Sequence, residues 1–158
     1  MKLSTHTTTS SRTKTEPRHA DRSRNSSAYT SIAETRQLLA RSLSARNERL
    51  ARDDMVSTDE AAKIADTSRV TVNAWIAKGR AIGLTQVKRG YRLPRWQFEP
   101  RMWDAIPRLS AALGAHDGWT LLAFLETPLG ALDGVTPRAA IEQGKLERVV
   151  SVAGQGAE

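Results

Sequence analysis

Cysteine is absent from this 158-residue chain, which excludes disulfides, thiolate metal sites, iron–sulfur ligation and cysteine nucleophiles together. Histidine is scarce. His6, His19 and His116 are scattered, leaving little with which to build a histidine metal site or a serine-type triad. No apolar run approaches the ~18 residues that would span a bilayer, so a soluble chain with no membrane partner is expected. Asp104, Asp117, Glu126 and Asp133 supply carboxylates, yet none sits beside a histidine or a glycine-rich phosphate loop. His116 reads as a turn residue. The chain is therefore expected not to be an enzyme and to need no cofactor or metal.

Positive charge is what the sequence has in plenty. Lys and Arg number 24 against 17 Asp and Glu, a net +7, with a pI near 10.4, and that balance points to an anionic partner. The charge is uneven: +4 over residues 1–30, +2 over 31–53, +3 over 54–100 and −2 over 101–158. A basic front and middle with a mildly acidic end suggests one part that meets a polyanion and another that meets something else.

Residues 1–30 are crowded with Ser and Thr among six basic side chains. They cannot bury enough apolar surface to offset the entropy of ordering, so a disordered basic tail is expected, either an arm over a phosphate backbone or a solubilising segment. Their apolar content is too thin for a signal-peptide core, and a cytoplasmic location follows. Residues 31–53 change pattern. Ile32, Leu38, Leu39, Leu43 and Leu50 recur at roughly helical spacing, Ser31 and Glu34 fit a capping box, and the spacing predicts an amphipathic helix. Its leucine stripe is expected to pack on the following domain or on a second copy of itself.

Residues 54–98 carry the sharpest signal. Val56 to Gly79 predicts two short helices with a tight link. Thr58 is placed to cap the first, Ser68 to cap the second, and Gly79 sits where a left-handed C-terminal cap is expected. In the second helix Val72, Trp75 and Ile76 share an anchoring face, while Arg69, Val70, Asn73 and Ala77 fall nearer the other. That is a helix-turn-helix, whose second helix offers N-terminal side chains to base edges; an ordinary helical hairpin with a solvated Arg69 is the alternative. Arg69 is the chief candidate for guanine and Asn73 for adenine. Ser68, Val70 and Thr71 complete the reading edge, with Lys78 and Arg80 placed for phosphate. Leu84–Val87 and Tyr91–Pro94 then predict a β-hairpin wing, with Lys88, Arg89 and Arg92 near its tip meeting phosphates. Trp96 and Phe98 read as core. The stretch from residue 57 to 80 resembles helix-turn-helix modules of the MerR/excisionase type, with their alanine pair and Ser-Arg-x-Thr-Val-x-x-Trp-Ile pattern.

Residues 99–158 predict a small all-helical domain. Met102, Trp103, Ile106, Leu109 and Leu113 form one stripe ended by Gly114. Trp119, Leu122, Ala123 and Leu125 form a second helix stopped by Pro128. Thr136 caps a third with Pro137 at its first position, and Gly144 precedes the last. The run from Trp119 to Ala153, with Phe124-Leu125, Pro128, Leu132-Asp133-Gly134, Thr136-Pro137, Gly144 and Val149-Val150, resembles the toxin-binding domain of Xre/MbcA/ParS-type antitoxins. That resemblance implies a toxin partner of the NAD-consuming RES type, its active site covered by the C-terminal segment. Arg138, Glu142, Lys145, Glu147 and Arg148 are the candidates for the partner surface, with a solvated face as the alternative.

The fold class expected is mainly α: a winged helix-turn-helix with a short β-hairpin, followed by a small all-helical domain and preceded by a disordered basic N-terminus. The function expected is a double-stranded-DNA-binding transcriptional regulator and antitoxin, dimeric, repressing its own operon. Two alternatives stand beside it: a stand-alone transcription factor or excisionase-like protein with no toxin partner, and an adaptor whose halves both bind protein.

Overall fold

The computed structural model describes residues 32–85 and 90–156. The predicted basic tail, Ser31 of the predicted capping box, and Lys88 and Arg89 of the predicted wing lie outside the described residues. What is described is mainly helical, with one two-stranded antiparallel sheet. The chain divides into two units, residues 1–40 and 41–158. In the first, residues 32–40 are helical, forming the start of α1 (Ile32–Leu50). The predicted stripe is largely uncovered: Ile32, Leu38, Leu39 and Leu43 are exposed, and only Leu50 is buried. Arg36 and Arg46 flank that surface on either side, leaving a narrow apolar seam.

The second unit begins its sheet with a strand that the sequence did not announce. β1 (Met55–Ser57) pairs antiparallel with β2 (Arg92–Pro94), with Val56 opposite Leu93 and Ser57 opposite Arg92. Of the predicted hairpin, Leu84 joins Arg92 in a single antiparallel bridge through two backbone hydrogen bonds of 2.8 Å, and residues 86–89 lie outside the described residues; the ladder partner of β2 is β1. Three residues are too few for a strand's alternation to stand out in sequence. Pro94, lacking an N–H, ends β2 as its chemistry requires.

Between the strands lie α2 (Thr58–Ile64) and α3 (Arg69–Ala77). The cap of α2 is Ser57, not Thr58: its Oγ accepts from the Glu60 N–H at 3.2 Å, and Glu60 Oε2 accepts from the Ser57 N–H at 2.7 Å. Only Ser57 has a glutamate three residues on, which is what the reciprocal box needs. Thr58 is buried in the first turn. The link to α3 turns on Asp66 in the left-handed region, φ +49°, where a short polar side chain is tolerated. The Thr67 N–H then reaches back to the Ala62 carbonyl at 2.9 Å. α3 closes as the sequence indicates. Gly79 has φ +69°, and the Arg80 and Gly79 N–H groups bond the Trp75 and Ile76 carbonyls. A Cβ on Gly79 would also collide with Ser110 and His116.

α4 (Pro100–Leu113), α5 (Gly118–Glu126), α6 (Pro137–Glu142) and α7 (Leu146–Gln155) follow. Gly114 ends α4 in the left-handed region and Thr136 caps α6 by accepting from the Ala139 N–H, both where the sequence puts them. Gly118 opens α5 against the backbone of Gly83, where any Cβ would strike main-chain atoms that cannot yield. One apolar core runs through Leu50, Met55, Ile82, Leu84 and Trp96 into Met102, Ile106, Leu109, Leu121 and Val149. Residues 54–98 and 99–158, expected as successive domains, thus share a core. A second cluster lies under the helix pair: Val56, Ala61, Ala62, Val72, Ile76 and Leu93. The small Ala61 and Ala62 are what let α3 approach so closely.

Candidate nucleic-acid interface

α3 divides its residues cleanly. Val72 and Ile76 are buried, and Trp75 is half-buried with its ring centre 4.9 Å from that of Trp103 in an edge-to-face arrangement. On the outer side Arg69, Val70, Asn73 and Lys78 are exposed, Val70 by 77%. A valine this open takes no part in the core. Ser68 is exposed and its Oγ accepts from the Thr71 N–H at 3.2 Å. Thr71 is half-buried, its hydroxyl 2.9 Å from that of Ser68, so it serves the cap.

The remaining basic candidates occupy different settings. Arg80 is half-buried with its guanidinium 4.5 Å above the centre of the Trp103 ring, which also stacks on Phe98. That cation–π contact competes with a role toward phosphate. Arg92 is exposed on β2, its Nη2 3.4 Å from the Met55 carbonyl oxygen. Its charge also helps hold Glu60 ionised. The Glu60 carboxyl lies below its ordinary value of 4.5, held there first by the Ser57 N–H and second by the Ser57 hydroxyl. Of the ten residues nominated for DNA, the structure thus brings Ser68, Arg69, Val70, Thr71, Asn73 and Lys78 together on or beside α3. Arg80 and Arg92 lie elsewhere on the same unit.

Of the five residues nominated on the C-terminal helices, Arg138, Glu142, Glu147 and Arg148 are less free than their sequence positions suggest. Arg138 Nε donates to Glu142 Oε1 at 2.9 Å, and its guanidinium also covers the Trp96 ring at 4.5 Å. It lines a cleft of about 540 Å³ with Arg95, Trp96, Phe98 and Glu99. Glu147 accepts two hydrogen bonds of 2.8 Å from Arg108, whose guanidinium holds that carboxyl below the usual carboxylate range. Arg148 bonds Asp133 at 3.0 Å and the Ala131 carbonyl at 2.7 Å, bracing the loop before α6. Lys145 is exposed at the start of α7.

Three arrangements have no counterpart in the sequence reading. Arg49 is buried and forks onto two carboxylates, Asp54 at 2.9 Å and Glu126 at 2.7 Å. Burial works against its charge, but hydrogen bonds to Glu126 and Asp54 outweigh it and raise the guanidinium's pKa. Trp96 Nε1 donates to the same Asp54. Gln97, fully buried, uses both ends of its amide on the backbone of Ile82, at 2.7 and 2.9 Å. Asp59, on the first turn of α2, lies 3.6 Å from Arg69. Each pairing spans residues distant in sequence or types common on any surface, so no local pattern marks it.

Among the described residues, no helix is long and apolar enough to cross a membrane. No protein-family model matches the chain, and neither a curated protein nor a solved structure matches it.

Proposed function

We propose that this chain is a DNA-binding transcriptional regulator in which α2 and α3 act as a helix-turn-helix. The observation that carries the reading is the outer edge of α3. Arg69, Val70 and Asn73 stand exposed on a helix whose opposite face is sealed by Val72 and Ile76. Such a helix has side chains of the kinds that read guanine, thymine methyl and adenine in a major groove, on a rigid support. The strand before α2 and the Leu84–Arg92 bridge favour a winged arrangement. Two copies are proposed, since one small module rarely buries enough duplex for regulatory affinity. The function is binding, not catalysis, in the cytoplasm.

The antitoxin part of the proposal rests on the resemblance of residues 119–153 to Xre/MbcA/ParS-type domains. It assigns α6 and α7 to a RES-type toxin, whose neutralisation would be joined to repression of a shared operon. The alternative is a stand-alone regulator with no toxin partner. Truncation after residue 98 is not a clean test, because the core runs across that point. Co-expression of the full chain with a RES-type enzyme separates the two: restored growth supports the antitoxin, and unrelieved toxicity supports the stand-alone regulator.

The DNA-binding reading is tested by titrating salt against affinity for random duplex. It expects log affinity to fall with log salt by about 0.9 per phosphate neutralised. A flat response would favour the adaptor and overturn the reading.

A further inference from the structure

Asp59 reaches the outer edge of α3 from the first turn of α2. Its Oδ1 lies 3.6 Å from Nη1 of Arg69, with the two side chains 64% and 63% exposed. Capping of α2 does not require it, since Ser57 and Glu60 form the reciprocal box. An ion pair this open adds little to stability. A carboxylate here also repels the phosphates that the rest of a basic surface attracts. Asp59 suits the N-terminus of α2 as any first-turn acid does; its reach to Arg69 is what that general role does not account for.

We propose that Asp59 is a positioning residue that orients the Arg69 guanidinium toward guanine, and so a determinant of which duplex the protein prefers. The inference rests on the DNA-binding reading above. Arginine reads guanine by presenting two parallel N–H donors to O6 and N7, and a long exposed side chain must be ordered to do so. With Nη1 drawn toward Asp59, the Nη2 and Nε edge is left, which carries such a donor pair. The other end of the side chain is restrained as well. Arg69 is the first residue of α3, directly after Ser68, whose Oγ bonds both the N–H and the hydroxyl of Thr71. A fixed Cα and a guanidinium steered by a nearby carboxylate together bias where the fork points.

The experiment uses the full chain and the duplex it selects from a random pool, compared with that duplex changed at the base pair to which Arg69→Ala becomes indifferent. The native protein is expected to discriminate between the two by roughly 10- to 100-fold. Asp59→Asn keeps the shape and removes the charge. It is expected to lower that ratio by about threefold or more while affinity for random duplex holds or rises, and Asp59→Glu is expected to recover part of the ratio. An undiminished ratio in Asp59→Asn overturns the proposal and leaves Arg69 as an unaided reader. Equal loss on selected and random duplex also overturns it, because Asp59 would then act through the fold of α2. If Arg69→Ala alters no base-pair preference at any position, Arg69 is not a base reader and the role of Asp59 falls with it, whereas a flat salt titration removes the DNA-binding reading itself.

Discussion

The edge of α3 and the C-terminal helices use the same charged side chains to different ends. Along α4 to α7 the arginines are tied down: Arg108 to Glu147, Arg138 to Glu142, Arg148 to Asp133, each at 3.0 Å or less. On α3, Arg69 meets Asp59 only at 3.6 Å, and the helix is held by hydroxyl caps and an apolar underside instead. A guanidinium forked onto a carboxylate has spent its directional donors on the fold, whereas one that is merely steered keeps them for a partner. Exposure alone does not distinguish the two. Arg148 and Arg69 are both open to solvent, and what separates them is the geometry of their partners.

The most severe way to probe that contrast is to remove the most firmly tied arginine. Arg49→Ala would leave Asp54 and Glu126 without their shared cation in a largely enclosed site, a loss of about 3 kcal/mol of stability. Denaturant unfolding measures it, and a loss no larger than for an exposed arginine would erase the distinction between structural and functional charge. Arg69→Ala should behave in the opposite way. Its stability is expected to change by less than about 0.5 kcal/mol, while specific duplex binding weakens by about 1–3 kcal/mol and non-specific binding by less. Equal loss on all duplexes would demote Arg69 to a phosphate contact.

How much of this was legible in the sequence depends on the range of the interaction. Short-range signals carried through: the Ser68 cap, Gly79, the Gly114 stop, and the Thr136-Pro137 start each depend on residues within about four positions. The split of α3 into buried Val72 and Ile76 against exposed Arg69 and Asn73 was likewise readable from period alone. What escaped was non-local or very short. β1 has three residues and depends on β2 some 35 positions later, and Gln97 is explained only by the Ile82 backbone it completes. The leucine stripe of α1 shows the converse limit, since period fixes a face without saying what covers it.

Smaller effects refine the comparison. Ser57→Ala removes the cap of α2 and should cost about 1 kcal/mol. Arg148→Ala opens a surface pair and should cost between about 0 and 1 kcal/mol. If Arg148→Ala instead abolished toxin neutralisation without destabilising the fold, the C-terminal charges would have to be counted as reading residues too.

Acid titration provides the finest discrimination, because each region holds one carboxyl below its ordinary range by a different means. Glu60 is held by the Ser57 backbone and hydroxyl, and Glu147 by the Arg108 guanidinium. A carboxyl whose folded value lies below its unfolded one contributes stability that is complete above the unfolded value and disappears as pH falls through the folded one. Both contributions should therefore be present at neutral pH and fade below about 4.5. Salt tells them apart. Melting temperatures of Glu60→Gln and Glu147→Gln should each converge on the native value in acid, but added salt at neutral pH should shrink the Glu147 difference more, because it comes from an ion pair between exposed groups whereas Arg92 and Lys63 are lesser causes at Glu60. The Glu60 difference comes first from a backbone N–H hydrogen bond and should persist. Equal sensitivity to salt would mean that α2, too, is held by charge, and the contrast between the two regions would lose its physical basis.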